Sequence, residues 1–204
     1  MNIINEIIEP DSFYHIYNRG INSCNIFQHK ENYSFFLKQF SKYMNAVVDV
    51  YAYCLMPNHF HFLMYADERT VAVDDKGRNV FSEAIRKLLS QYTKAVNIQE
   101  NRTSSLFQQN TNAKLVGGLS WHEHRATKTV SCHDARGMIV QDDAINCFVY
   151  IHKNPMEMTN NNLSKWIFSS YLDYAGLRNG TLCNKELAYS LLGIHADEFL
   201  KMVE

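Results

Sequence analysis

Residues 47–56, rich in Val and Tyr, run into Pro57-Asn58 and then into His59-Phe60-His61-Phe62-Leu63-Met64-Tyr65. Two strand-forming runs around a proline read as a hairpin, because proline cannot donate a ladder hydrogen bond and belongs in the turn. Successive side chains of a strand point to opposite faces, so His59 and His61 share one face while Phe60, Phe62 and Met64 take the other. A strand of this kind can present two metal ligands side by side. Taken alone, such a pair is more often a surface histidine beside a sheet neighbour than a metal site, so a third ligand has to be found elsewhere in the chain.

The remaining pattern supplies the partners of this hairpin. Phe13-Tyr14-His15-Ile16-Tyr17 is aromatic and β-branched and reads as a strand that stops at Asn18-Arg19-Gly20. Tyr33, Phe36, Leu37, Phe40 and Met44 have the spacing of an amphipathic helix over 31–46. Residues 66–79 read as a polar loop. Asn79 then caps a helix with the stripe Phe81, Ile85, Leu88, Leu89, Tyr92 and Val96, whose other face offers Arg86, Lys87 and Lys94. From 101 to 141 the periodicity fades into loop and strand. Asp142 or Asp143 caps a short helix through Ile145, Phe148 and Val149, which Pro155 ends. A packed tail follows, with Trp166, Ser169-Ser170-Tyr171 and a closing helix near 185–192. The order β, α, β, β, α, irregular β, α fits an α+β fold, a ferredoxin-like (RRM-like) antiparallel sheet with helices packed on one face and a C-terminal helical tail.

With 204 residues, 46% of them hydrophobic, the chain can bury a core that needs no disulfide or metal staple. Its five cysteines are odd in number and contain no C-x-x-C pair, which excludes a disulfide framework and a zinc ribbon. No apolar run approaches the ~18 residues of a spanning helix, and the first residues lack the basic start of a leader, so no membrane role and a cytoplasmic location are expected. The formal charge is −1, yet residues 66–130 hold ten basic against seven acidic side chains, while 131–204 hold six against nine. A nucleic-acid surface is therefore expected to be local and centred on the middle third.

Tyr150 and Asn154 stand four residues apart and share a helix face, away from the stripe of Ile145, Phe148, Val149 and His152. If that helix docks over the histidine face of the sheet, Tyr150 can act as a nucleophile and Asn154 as an oxygen ligand. A tyrosine and an asparagine at this spacing are ordinary; the combination with His59 and His61 is not.

The string Ala52-Tyr53-Cys54-Leu55-Met56-Pro57-Asn58-His59-Phe60-His61-Phe62-Leu63 resembles the signature of the REP-associated tyrosine transposases, a branch of the single-tyrosine HUH transposases. The resemblance extends, in the family's order, to Tyr14-His15-Ile16-Tyr17-Asn18-Arg19-Gly20, Leu106-Phe107-Gln108, Tyr150-Ile151-His152-Lys153-Asn154-Pro155, Trp166 and Ser169-Ser170-Tyr171. It implies a ferredoxin-like HUH endonuclease domain over 1–155 and a tail over 156–204 packed on it. It also implies a metal-dependent transposase that cleaves and rejoins single-stranded DNA through a 5′-phosphotyrosine link. His59 and His61 match the pair that binds Mg²⁺ or Mn²⁺, Tyr150 the nucleophile, and Asn154 the position of a third ligand. Single-stranded DNA bearing a hairpin is the implied partner, with Arg19, Arg86, Lys87 and Lys94 as expected contacts; a homodimer is left open. Two departures stand out. Residues 117–141 are longer and more polar than the family's pattern and read as an insertion, in which His122 and His124 make a second H-x-H around Glu123. Near Leu106-Phe107-Gln108, where the family often shows an arginine, this chain has Asn110 and Asn112.

Two other classes compete. A non-catalytic single-strand binder on the same fold would stack bases on Tyr14, Tyr17 or Tyr51, but has no need of His59, His61 and Tyr150 together. A hydrolytic zinc enzyme would use Cys54 with the histidines, but Cys54 lies on the other strand of the hairpin and no carboxylate stands in the motif as a base.

Overall fold

A computed structural model describes Ile4, residues 7–118 and residues 141–203. The alternation of the hairpin sets its architecture. Strand β1 (Ser12–Arg19) is followed by helix α1 (Lys30–Met44), then by β2 (Asp49–Met56) and β3 (His59–Ala66), which are joined at Pro57-Asn58 as the proline requires. A single-turn helix, α2 (Glu68–Val71), interrupts the stretch expected to be a loop. Asp67 starts it by accepting from the backbone of Arg69 and Thr70, a side-chain cap that makes one turn viable without apolar periodicity. Helix α3 (Val80–Gln99) begins at Asn79, whose Oδ1 accepts from Ser82 N at 2.9 Å, and the sheet closes with β4 (Asn112–Gly118).

The four strands are antiparallel in the order β2-β3-β1-β4. Each helical crossover thus skips one strand, the ferredoxin-like arrangement. Phe62 stacks on Phe40 of α1 with ring centroids 4.2 Å apart, and Phe60 meets Phe36 at 5.4 Å. Tyr92 of α3 packs edge-on against Phe36 and donates its hydroxyl to Ile26 O at 2.7 Å. The apolar face of the hairpin is thereby roofed by α1, with α3 beside it. Tyr14 is 3% exposed, and Tyr51, 0% exposed, packs its ring against Phe13 and Tyr65, so neither is free to stack a base, in contrast to the sequence expectation; of the three, Tyr17 remains accessible.

Helix α4 (Gln141–Lys153) contains Asp142 and Asp143 rather than following them, and it lies on the opposite, histidine-bearing face. The sheet is therefore covered on both sides, because the tail pulls α4 there. His152 is fully buried among Phe148, Tyr174 and Phe199, and Nδ1 donates to Phe148 O while Nε2 accepts from the Ser170 hydroxyl, both at 2.8 Å. The tail itself, with helices α5 (Tyr171–Tyr174), α6 (Lys185–Leu192) and α7 (Phe199–Val203), zips onto the open edge of β2. Leu55 N donates to Phe168 O and Ser170 N to Tyr53 O, each at 2.9 Å, which covers an edge that would otherwise pair with another chain. Arg178 locks the turn by reaching Asp173, Ser169 O and the Tyr53 hydroxyl. Apart from Gly117, Gly118 and Gln141, the segment read as an insertion, with His122 and His124, lies outside the described residues.

His152 makes acid stability a test of this packing. Burial holds its pKa down at about 3, so the folded state keeps it neutral while the unfolded chain takes up a proton near 6.5. The unfolded state then binds more protons as pH falls from 6.5 towards 3, and stability is lost in that window by up to ~1.4 kcal/mol per pH unit for this group. Urea unfolding from pH 7 to pH 4 is expected to show this fall, with a shallower one in His152→Gln.

Candidate active site

Strand pairing brings the polar face together. In the β1/β3 register Tyr17 stands opposite His61 and Arg19 opposite His59, and in β1/β4 Lys114 stands opposite His15. His15, Tyr17, Arg19, His59, His61 and Lys114 thus share one face. His61 is 7% exposed, and its Nδ1 lies 2.8 Å from His15 Nε2. Tyr150, on α4, sets its ring edge-on to both, with centroids 5.5 Å from His61 and 5.9 Å from His15, and remains 51% exposed. Directly after the helix, Asn154 Oδ1 reaches 3.2 Å from His59 Nε2, while His59 Nδ1 lies 2.6 Å from Asn58 Oδ1. The docking on which the roles of Tyr150 and Asn154 depend is therefore present, within one chain. An open cavity of about 520 Å³ borders the site, lined among others by His15, Tyr17, His61, Lys114, Asp143 and Tyr150.

The electrostatics keep the imidazoles neutral. Burial brings His61 down to about 2, helped by its histidine neighbours, and brings His15 down to about 4, helped by Lys114. His59 is lowered by burial and by Arg19, against the Asn154 contact. Neutral rings keep lone pairs for a cation. His59 has one ring proton, with Asn58 Oδ1 at its Nδ1 and Asn154 Oδ1 at its Nε2 as the two acceptors it meets. Two imidazole nitrogens with an amide oxygen form a donor set that suits Mn²⁺ and tolerates Mg²⁺. Among the described residues no group of three His, Cys, Asp or Glu side chains is arranged to hold a metal ion; the third donor here is an amide, outside those types.

Cys54 faces His61 directly across β2/β3, closer than the sequence suggested. Burial pushes its thiol well up, which disfavours the thiolate that metal ligation would need.

The expected DNA contacts separate. Arg19 sits at the site beside His59. Arg86 and Lys94 instead line a groove of about 940 Å³ on α3, with Arg102, Asn97 and Gln108, whereas Lys87 is exposed outside it. Ile21, two residues after Arg19, forms part of the groove wall. Much of the basic excess of the middle third is neutralised locally, since Arg69 pairs with Asp49 and Asp67, Arg78 with Asp74, and Arg86 with Glu83. His15 and Lys114 were not singled out from the sequence. Alternation within Phe13-Tyr14-His15-Ile16-Tyr17 puts His15 and Tyr17 on one face, but nothing local says which strand that face adjoins.

The fold has a solved counterpart. A structure described as a REP-associated tyrosine transposase bound to a REP hairpin matches over 85% of this chain and 86% of its own, with a TM-score of 0.55 and 17% identity. The two proteins share a fold. No protein-family model and no curated protein matches this chain. The α+β, ferredoxin-like antiparallel sheet expected from the pattern is the one observed, with α4 and the tail adding a cover on the face where no helix was expected. No helix among the described residues is long and apolar enough to cross a membrane.

Proposed function

We propose that this chain is a DNA strand transferase of the REP-associated tyrosine transposase type, which cuts and rejoins single-stranded DNA through Tyr150. The observation that carries the reading is the convergence of Tyr150, His61, His59 and Asn154 from one helix and one strand onto a single open face. The Tyr150 hydroxyl attacks a backbone phosphorus, the bond to the 3′ oxygen breaks, and that oxygen leaves as a free 3′-OH after taking up a proton. The phosphate stays on Tyr150 as a 5′-phosphotyrosine, so the same 3′-OH can reverse the step without ATP. A free tyrosine has a pKa near ~10 and needs help at neutral pH. His59, His61 and Asn154 would hold the divalent cation, Mg²⁺ or Mn²⁺, which when bound neutralises and aligns the phosphate. Arg19 and Lys114 place further positive charge along the same face.

The charge balance and the neighbour's hairpin ligand support the substrate class. A near-neutral chain cannot hold long duplex by charge alone, which favours a single strand read through bases and a folded hairpin. The test is incubation with labelled single-stranded DNA that carries hairpins and with Mn²⁺, followed by denaturing electrophoresis. A covalent protein–DNA band with release of a free 3′-OH is expected; binding without any adduct would leave a non-catalytic binder instead.

The groove on α3 is the proposed path of the strand beyond Arg19. Arg86→Gln combined with Lys94→Gln is expected to lower the salt slope of binding by roughly 1.4, at ~0.7 per lost phosphate contact on a single strand, and Lys87→Gln to change it least. Binding titrations at several salt concentrations measure this, and an unchanged slope in the double variant removes the groove from the DNA path.

A further inference from the structure

The geometry points to His15 as a positioning residue that accepts the Nδ1 hydrogen of His61 and so holds His61 in the tautomer whose Nε2 carries a lone pair. The inference deepens the metal reading given above and rests on it for its functional meaning. A neutral imidazole has one N–H and one lone pair. His15 Nε2 and His61 Nδ1 lie 2.8 Å apart, so a single proton lies between them. If that proton belonged to His15, His61 Nδ1 would be the acceptor and its Nε2 would carry hydrogen, unable to bind a cation. Only the opposite assignment turns a lone pair outward from His61.

His59 provides the comparison. With a cation at its Nε2, its one proton stays on Nδ1 and goes to Asn58 Oδ1, an oxygen that can only accept. His15 performs the same service for His61 with a ring that could either donate or accept, and its own orientation is restrained on both sides. Tyr17 packs against it at 4.8 Å and Tyr150 edge-on at 5.9 Å. Partners that orient metal-binding histidines in this way typically change affinity 10–100-fold when removed.

The experiment uses the full chain, ¹⁵N-labelled and metal-free, with long-range ¹H–¹⁵N correlation spectra of the imidazoles, and Mn²⁺ titrations followed by electron paramagnetic resonance. In the wild type His61 is expected as the Nδ1–H tautomer. His15→Phe keeps the ring packing but removes the acceptor, and should release His61 towards the Nε2–H form and weaken Mn²⁺ binding ~10–100-fold. His15→Gln restores an acceptor oxygen and should return both readouts towards wild type. A purely structural role for His15 would lower the melting temperature without moving the tautomer. A wild-type His61 found as Nε2–H, or a folded His15→Phe variant with unchanged Mn²⁺ affinity, overturns the assignment. Failure of the wild type to bind Mn²⁺ overturns the metal reading instead, and is distinguishable because the spectra report His61 with no metal present.

Discussion

Tyr150→Phe is expected to abolish the covalent protein–DNA adduct, with any residual cleavage reduced by at least ~10³-fold, while folding and DNA binding stay near wild type. The change removes one hydroxyl from a ring that is 51% exposed and whose described contacts with His15 and His61 are made by the ring. Surface substitutions of this kind shift stability by about 0.5 kcal/mol or less. Denaturing electrophoresis of the labelled reaction, set beside a thermal melt and a binding titration, separates loss of chemistry from loss of fold. An adduct that survives in the Phe variant would make another tyrosine the nucleophile. Tyr17, on the same face and lining the same cavity, would then be the first to examine.

His59→Ala and His61→Ala should each remove most cleavage, by ~10²-fold or more, because few protein ligands remain to bind metal and align the phosphate. The two differ in their structural cost. His61 is buried against His15, so its loss leaves a ring nitrogen unpaired and adds ~1–3 kcal/mol of destabilisation, whereas the half-buried His59 gives the cleaner readout. Asn154→Ala should do less damage, since water can replace an amide oxygen on Mg²⁺ or Mn²⁺. The same changes at His122 and His124 should be close to silent. A cleavage defect there as large as at His59 would move the metal site to another part of the chain.

The hairpin, both long helices and the closing helix at Lys185–Leu192 are legible in the sequence because each is declared by neighbours in the chain: a proline between strands, an asparagine at a helix start, apolar residues every three or four positions. Residues 66–79 were not fully legible, since α2 depends on one capping aspartate and on no periodicity. Tyr14 and Tyr51 look alike in sequence to an aromatic that stacks on a ligand, and only the roof of helices and the tail over β2 determine that they are core.

For the site, the sequence by itself determined that His59 and His61 share a face and that Tyr150 and Asn154 share another, because side-chain direction within one strand or one helix follows from its repeat. It could not determine that the two faces meet. That was decided by α4 crossing to the histidine side, held there by His152 against Ser170 and by Phe148 against Phe199. His15 entered the site in the same way, 46 residues from His61, through a β1/β3 register set by burial of a whole sheet face. Strand register is a property of the packed pair and leaves no mark in either strand alone, since a slip of one residue would have turned the same side chains to the other side.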